Sequence, residues 1–195
     1  MYKFFYNYQM FSFILAISSI FSFSIFIFVI EFINMKNLYI IRHAKSSWEL
    51  PVSDDLRPLN ERGINDAYLI GNALQFYGLE SVDVYVSAAK RTQETYDIIK
   101  TSIAHLIKSE NTTRELYTFN HRELVNFIKK TPNNQDAILI FGHNFAITDF
   151  VNAYGSKIID NVSTCGFIHL QFNINDWQQL KRGETIKKIF PKDLK

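Results

Sequence analysis

The sequence predicts an α/β fold, a three-layer α/β/α sandwich on a largely parallel mixed sheet. Three observations carry that expectation. Short apolar runs at residues 38–41, 82–86 and 137–141 have the length and near-uniform hydrophobicity of strands buried on both faces of a sheet. The stretches between them place apolar residues at helical spacing, so strands and helices alternate, as in parallel sheets covered on both sides. Bulk composition fits one packed domain: 195 residues, 47% hydrophobic and 21% charged.

Taken in order, the first strand is followed by a polar connection through residue 55 that contains Pro51. A helix then opens at Asn60, a good N-cap, with Pro58 fixing the approach and Glu61 complementing the helix N-terminus. Ile64, Ala67, Gly71 and Leu74 form its apolar face, and Gly78 stops it. The second strand runs into Ser87-Ala88-Ala89, where small residues open a long helix supported by Ile98, Ile99, Ile103 and Leu106 and fading near Lys108. A short edge strand is expected around Glu115, Leu116 and Tyr117. Asn120-His-Arg-Glu123 has the form of a capping box and begins a helix that stops before Pro132. The strand at 137–141 leads through Gly142-His143-Asn144 into a helix over 145–154, ended by Gly155. Residues 163–172 and 185–190 read as two more strands, bridged by residues 176–180. No internal repeat or second folded domain is visible.

Residues 1–34 differ from the rest: Lys3 and Glu31 are their only charges, and residues 11–30 carry none. Twenty such residues can span a bilayer as a helix, which makes a membrane anchor one reading. The other is a translation start at Met35, with the upstream stretch encoded by AT-rich DNA and a cytoplasmic protein as the result. The domain boundaries expected are an extension over 1–34 and a folded domain over 35–195. A net charge of +2 gives no broad nucleic-acid footprint, and the single Cys165 excludes an internal disulfide.

Chemistry is concentrated where strands end. Arg42 and His43 follow the first apolar strand, Arg91 follows the second, and His143 follows the third, while Arg57 heads a helix alongside. Ligands in open α/β sheets bind past the carboxyl ends of the strands, so these side chains converge on one edge. A strand end that meets water also commonly carries a charge, and a solvated arginine is the ordinary fate of any one of them. As a set, three guanidiniums and two imidazoles suit a tetrahedral dianion, with arginine as a bidentate oxyanion donor and a neutral imidazole as a nucleophile. No Gly-x-x-x-x-Gly-Lys-Ser/Thr loop occurs. A metal bridging His43 and His143 is disfavoured, since no carboxylate or thiol sits at ligand spacing and the arginines repel a cation. Neither metal nor cofactor is expected.

Arg42-His43-Ala44, Arg57-Pro58-Leu59, the run from Ser87 to Thr92, and Gly142-His143-Asn144 resemble the histidine phosphatase superfamily. Arg42 through Trp48, followed by Arg57-Pro-Leu-Asn-Glu-Arg-Gly63, is similar to its SixA-type phosphohistidine phosphatase branch, as are Ser163-Thr-Cys-Gly166 and Trp177. The resemblance implies a phosphoglycerate-mutase-like sandwich in which His43 attacks phosphorus and water hydrolyses the resulting phosphohistidine. Arg42, Arg57, Arg91 and His143 would hold the phosphoryl oxygens, with catalytic roles for His43, His143, Arg42 and Arg91. His43 then needs one unprotonated nitrogen and an acceptor, such as a backbone carbonyl, for its other N–H. Many members of the superfamily carry an acid for the leaving oxygen. Glu115 is near the right region but reads as solvated, and a phosphoramidate tolerates the absence of such a group. The substrate implied is a phosphorylated protein, such as a histidine phosphorelay domain. Two alternatives stand beside it: a small-molecule phosphoester phosphatase of the same superfamily, and a non-catalytic, membrane-anchored module that binds phosphoproteins.

Overall fold

The computed structural model describes residues 35–195. Its six strands are β1 (Met35–Arg42), β2 (Val82–Ser87), β3 (Ile107–Thr113), β4 (Ala137–Gly142), β5 (Phe167–Asn173) and β6 (Glu184–Ile189). The helices are α1 (Glu61–Gln75), α2 (Lys90–Ile103), α3 (His121–Lys129) and α4 (Ala146–Tyr154). The strands form one sheet in the order β3-β2-β4-β1-β5-β6. Pairs β1/β4, β2/β4 and β2/β3 are parallel, and β5/β6 is antiparallel. The end of β1 meets the start of β5, where the Arg42 amide donates to the Gly166 carbonyl, so β5 runs against β1. The sheet is therefore the largely parallel mixed sheet expected.

Both faces of the central strands are buried, and the period of two divides them between two cores. Leu38 and Ile40 face α3 and α4 through Leu124, Ile128, Ile147 and Phe150. Tyr39 and Ile41 face α1 and α2 through Ala67, Ile70, Leu74, Ile99 and Ile103. That arrangement is the three-layer sandwich, and it explains why β1 and β4 read as continuous apolar runs. Asn60 caps α1 as expected, its side chain accepting from the Gly63 amide at 2.9 Å.

Several boundaries differ from the sequence reading. The edge strand is β3, at 107–113, while residues 114–116 form a 3-10 turn. An edge strand needs apolar residues on one side at most, and Lys108, Glu110, Asn111 and Thr112 are exposed, so no hydrophobic signal marks it. For the same reason α2 ends at Ile103 and does not continue toward Lys108. Ile64 is 39% exposed, and the buried stripe of α1 instead includes Asp66 and Ile70. The expected box at Asn120 is not closed. The Asn120 side chain accepts from Arg122, and Glu123 instead accepts from the Thr118 hydroxyl, which in turn takes the Asn120 amide. β5 begins at Phe167, four residues later than expected, because Cys165 lies at φ 58 in a turn before it. The anchor reading at residues 11–30 falls outside the described residues. Among those described, no helix is long and apolar enough to cross a membrane.

Candidate active site

The ends of β1, β2 and β4 lie side by side in the sheet, and the polar residues that follow them meet there. Arg42 is in register with Gly142, and the His43 amide donates to the Gly142 carbonyl at 3.0 Å. The rings of His43 and His143 are 5.1 Å apart between centroids. Arg91, in the first turn of α2, brings Nη2 to 3.3 Å from His143 Nδ1. Arg57 joins from the polar loop: its guanidinium and that of Arg91 share the carboxylate of Asp54. All five residues singled out from the sequence, Arg42, His43, Arg57, Arg91 and His143, are brought together.

His43 is aimed by its own backbone neighbour. Nδ1 lies 2.8 Å from the Ala44 carbonyl, an acceptor only, so that nitrogen carries the proton and Nε2 carries the lone pair. The loop holding Ala44 is itself tied down. The Ala44 amide donates to Thr95 Oγ1 at 2.9 Å, and that hydroxyl donates to the Arg91 carbonyl at 2.6 Å. The Lys45 carbonyl accepts from the Asn60 amide, and Ser46 bridges to Leu59. Burial drives the His43 pKa down to about 3, and the charges of Arg91, Arg42 and Arg57 add to the effect against the opposing Ala44 hydrogen bond. His43 is therefore neutral at physiological pH, the form a nucleophile requires.

His143 is 1% exposed and bonded on both nitrogens. Arg91 can only donate, so Nδ1 accepts, and Nε2 carries the proton toward Ser87 Oγ at 2.7 Å, with Thr92 Oγ1 at 3.4 Å. Burial, followed by the nearby His43 and Arg91, depresses its pKa strongly. A dianion bound beside it would reverse the charge effect and favour a second proton on Nδ1.

The arginines are buried as well: Arg57 is 7% and Arg91 1% exposed. Arg57 is locked by Ser46 Oγ at 2.8 Å and stacks under the Trp48 ring at 3.5 Å. Arg42 Nη1 donates to the Val162 carbonyl at 2.7 Å. The Nε atoms of Arg42 and Arg91 are buried without a hydrogen-bond partner. Buried guanidinium donors without partners are costly, and an oxyanion is what such donors accommodate. Glu115 is half exposed and paired with Lys130 at 2.9 Å. It is solvated, as the sequence indicates.

The sequence reading passed over Asp54, Ser87 as a partner of His143, Thr95 and Tyr117. One signal for Asp54 was available. It stands three residues before Arg57 in a polar turn, the spacing at which an acid and an arginine pair.

A family model for the histidine phosphatase superfamily (branch 1) matches residues 38–119, the segment from within β1 to Phe119. An uncharacterized chloroplastic protein of Arabidopsis thaliana is 28% identical over 154 residues, covering 74% of this chain and 70% of its own. Among solved structures, the protein histidine phosphatase SixA complexed with tungstate superposes with a TM-score of 0.70 at 19% identity, covering 82% of this chain and 99% of that one. Phosphoglycerate mutase from Bacillus anthracis str. Sterne gives 0.53 at 15% identity, covering 74% and 94%. The fold is thus phosphoglycerate-mutase-like, with a sandwich similar to that of SixA.

Proposed function

We propose that this chain is a histidine-nucleophile phosphatase of the histidine phosphatase superfamily (branch 1) and acts on phosphohistidine carried by a protein. The observation that carries the reading is the aim of His43. Its Nδ1–H is fixed on the Ala44 carbonyl, so a neutral Nε2 lone pair sits among Arg42, Arg57 and Arg91. The arginines neutralise the equatorial oxygens and His43 supplies the attacking pair, which is most of what phosphoryl transfer asks of a protein. His143 would accept a second proton as the dianion arrives and then donate to a phosphoryl oxygen.

Two features support a phosphorylated protein as substrate. Glu115 is paired with Lys130 at 2.9 Å, so this residue does not serve as an acid for a poor oxygen leaving group. An imidazole leaves more easily than an alkoxide once it is protonated. The rim is also open and aromatic: Trp48 is 74% exposed and sits on Arg57, while Phe119, 52% exposed, is 5.6 Å from the His143 ring. Exposed aromatic side chains around a buried charged site suit a protein surface better than an enclosed metabolite. SixA is described as a protein histidine phosphatase that binds tungstate, a tetrahedral oxyanion.

The test is phosphate release from a phosphohistidine-bearing protein, with an aryl phosphate as comparator, by wild type and His43→Ala. Release by the wild type, its loss in the variant and an acid-labile phosphoenzyme on wild type only are expected. Release that persists in His43→Ala would remove His43 from the mechanism.

A further inference from the structure

A phosphoryl group attacked in line by His43 releases its leaving atom on the far side, so the leaving group meets the part of the site away from the nucleophile. The rings of the site form a chain of contacts. His43 lies 5.1 Å from His143, and His143 lies 5.2 Å from Tyr117 and 5.6 Å from Phe119, between centroids. Tyr117 and Phe119 are 5.7 Å apart, edge to face. Tyr117 is committed: its hydroxyl donates to Asp54 at 2.6 Å, and its ring stands 5.8 Å from the Arg91 guanidinium. Trp48 serves Arg57, with its ring 3.5 Å from that guanidinium. Phe119 has only its ring to offer. That ring is tilted 55° to His143, and half of the residue stays open to solvent.

A single exposed phenyl group is ordinary on a protein surface. This one is held in place from both sides. Thr118, which is 6% exposed, donates from its hydroxyl to Glu123 and accepts the Asn120 amide at 3.0 Å. Asn120 in turn caps α3, accepting from the Arg122 amide at 2.9 Å. The segment therefore presents the Phe119 ring at a fixed place, one contact from His143.

We propose that Phe119 is the seat of the leaving group: the flat ring that carries the phosphoryl group packs on its open face as the phosphoryl oxygens enter among the arginines. That this ring is an imidazole rests on phosphohistidine being the substrate. Two properties of an aromatic face suit the role. It packs against a flat heterocycle in an offset or edge-on arrangement, and it attracts a cation. A phosphorylated imidazole departs most readily as the protonated ring, so Phe119 favours the form that leaves. A phosphoryl group on a bare amine presents no ring, and the same site handles it without this contribution. Phe119 thereby selects for the ring and leaves the phosphoryl group to Arg42, Arg57 and Arg91.

The experiment measures phosphate release by wild type, Phe119→Leu and Phe119→Tyr from two pairs of small substrates. Phosphoimidazole and phosphoramidate share a P–N bond, and only the first leaves as a ring. p-Nitrophenyl phosphate and acetyl phosphate make the same contrast across a P–O bond. Leucine keeps the bulk and apolar character of the side chain and removes the flat face. In Phe119→Leu, kcat/KM for phosphoimidazole should fall about tenfold, while that for phosphoramidate changes by less than about twofold. Phe119→Tyr, which keeps a ring, should stay within about twofold of wild type on both. An equal loss on phosphoimidazole and phosphoramidate would overturn the proposal, because a ring that only supports the local structure disturbs both. Wild-type rates on both substrates in Phe119→Leu would overturn it too. Should wild type cleave only the P–O pair, phosphohistidine fails as the substrate. A loss confined to p-nitrophenyl phosphate then still upholds the seat, and an equal loss across that pair removes it.

Discussion

Gly63→Ala tests how His43 is aimed without touching any charged group. A Cβ at Gly63 would lie 2.1 Å from the Lys45 carbonyl oxygen, whereas ordinary contact begins at 3.4 Å. Backbone must therefore give by about 1.3 Å. Neither side gives easily. Gly63 lies in the first turn of α1, where its amide is capped by Asn60, and the Lys45 carbonyl accepts from the Asn60 amide at 3.0 Å. Lys45 is bonded to Ala44, whose carbonyl orients His43. A shift of about 1 Å passed to that carbonyl misdirects Nε2, and displacements of that size cost roughly 100-fold in rate. The expected result is a kcat/KM about 100-fold below wild type in phosphate release, with slower phosphoenzyme formation in single-turnover mixing. Gly71→Ala is the control in the same helix. Its nearest neighbour is Ser102 Oγ at 3.1 Å, a side chain that can turn aside, so activity should hold while urea unfolding shows a gain of up to about 1 kcal/mol. Wild-type kcat/KM in Gly63→Ala, or an equal loss in Gly71→Ala, would refute the reasoning.

Two further outcomes follow from the buried imidazoles. His43, His143 and His169 all have pKa values depressed mainly by burial, His43 to about 3 and His169 to about 4. The unfolded chain binds protons at these sites near pH 6.5 and the folded chain does not, so stability is full above that pH and falls as the pH drops toward the folded values. Each site should remove about 2 kcal/mol by pH 5, read from urea midpoints at pH 8 and pH 5; equal midpoints would mean the rings are charged in the fold. Ser87→Ala removes the acceptor 2.7 Å from His143 Nε2 and leaves a buried N–H to Thr92 at 3.4 Å. A destabilisation of about 1–3 kcal/mol is expected, with kcat/KM roughly tenfold lower and an imidazole nitrogen shift for His143 in NMR as the check.

How much of this was legible in the chain depends on which force fixes each part. β1, β2 and β4 are buried on both faces, so hydrophobicity alone marks them, and their ends deliver Arg42, His43 and His143 to the site. The edge strand β3 gains little from burial, and its polar sequence hides it. Arg57 carries a recognisable Arg-Pro-Leu, yet its partner Asp54 is fixed by hydrogen bonds to residues 37 and 63 positions away, Arg91 and Tyr117. Pairing across such separations leaves no local pattern. Asp66 shows the same limit: an acidic residue on a helix reads as exposed, but here it is buried and paired with Lys195 at 2.8 Å.

The charges of the site perform two tasks at once. Arg42, Arg57 and Arg91 contribute three positive charges, and the ionised Asp54 leaves a net of two, which matches a phosphoryl dianion. The same field that draws the dianion disfavours a proton on His43, so phosphate affinity and nucleophilicity come from one set of residues. Lysine at these positions would keep the charge but lose the planar fork that lets Arg57 bond Ser46 and Asp54 together. On this reasoning the buried donors of the arginines and the neutral state of His43 belong to a single device. Weakening the field at Arg57 or Arg91 should degrade phosphate binding and nucleophile readiness together.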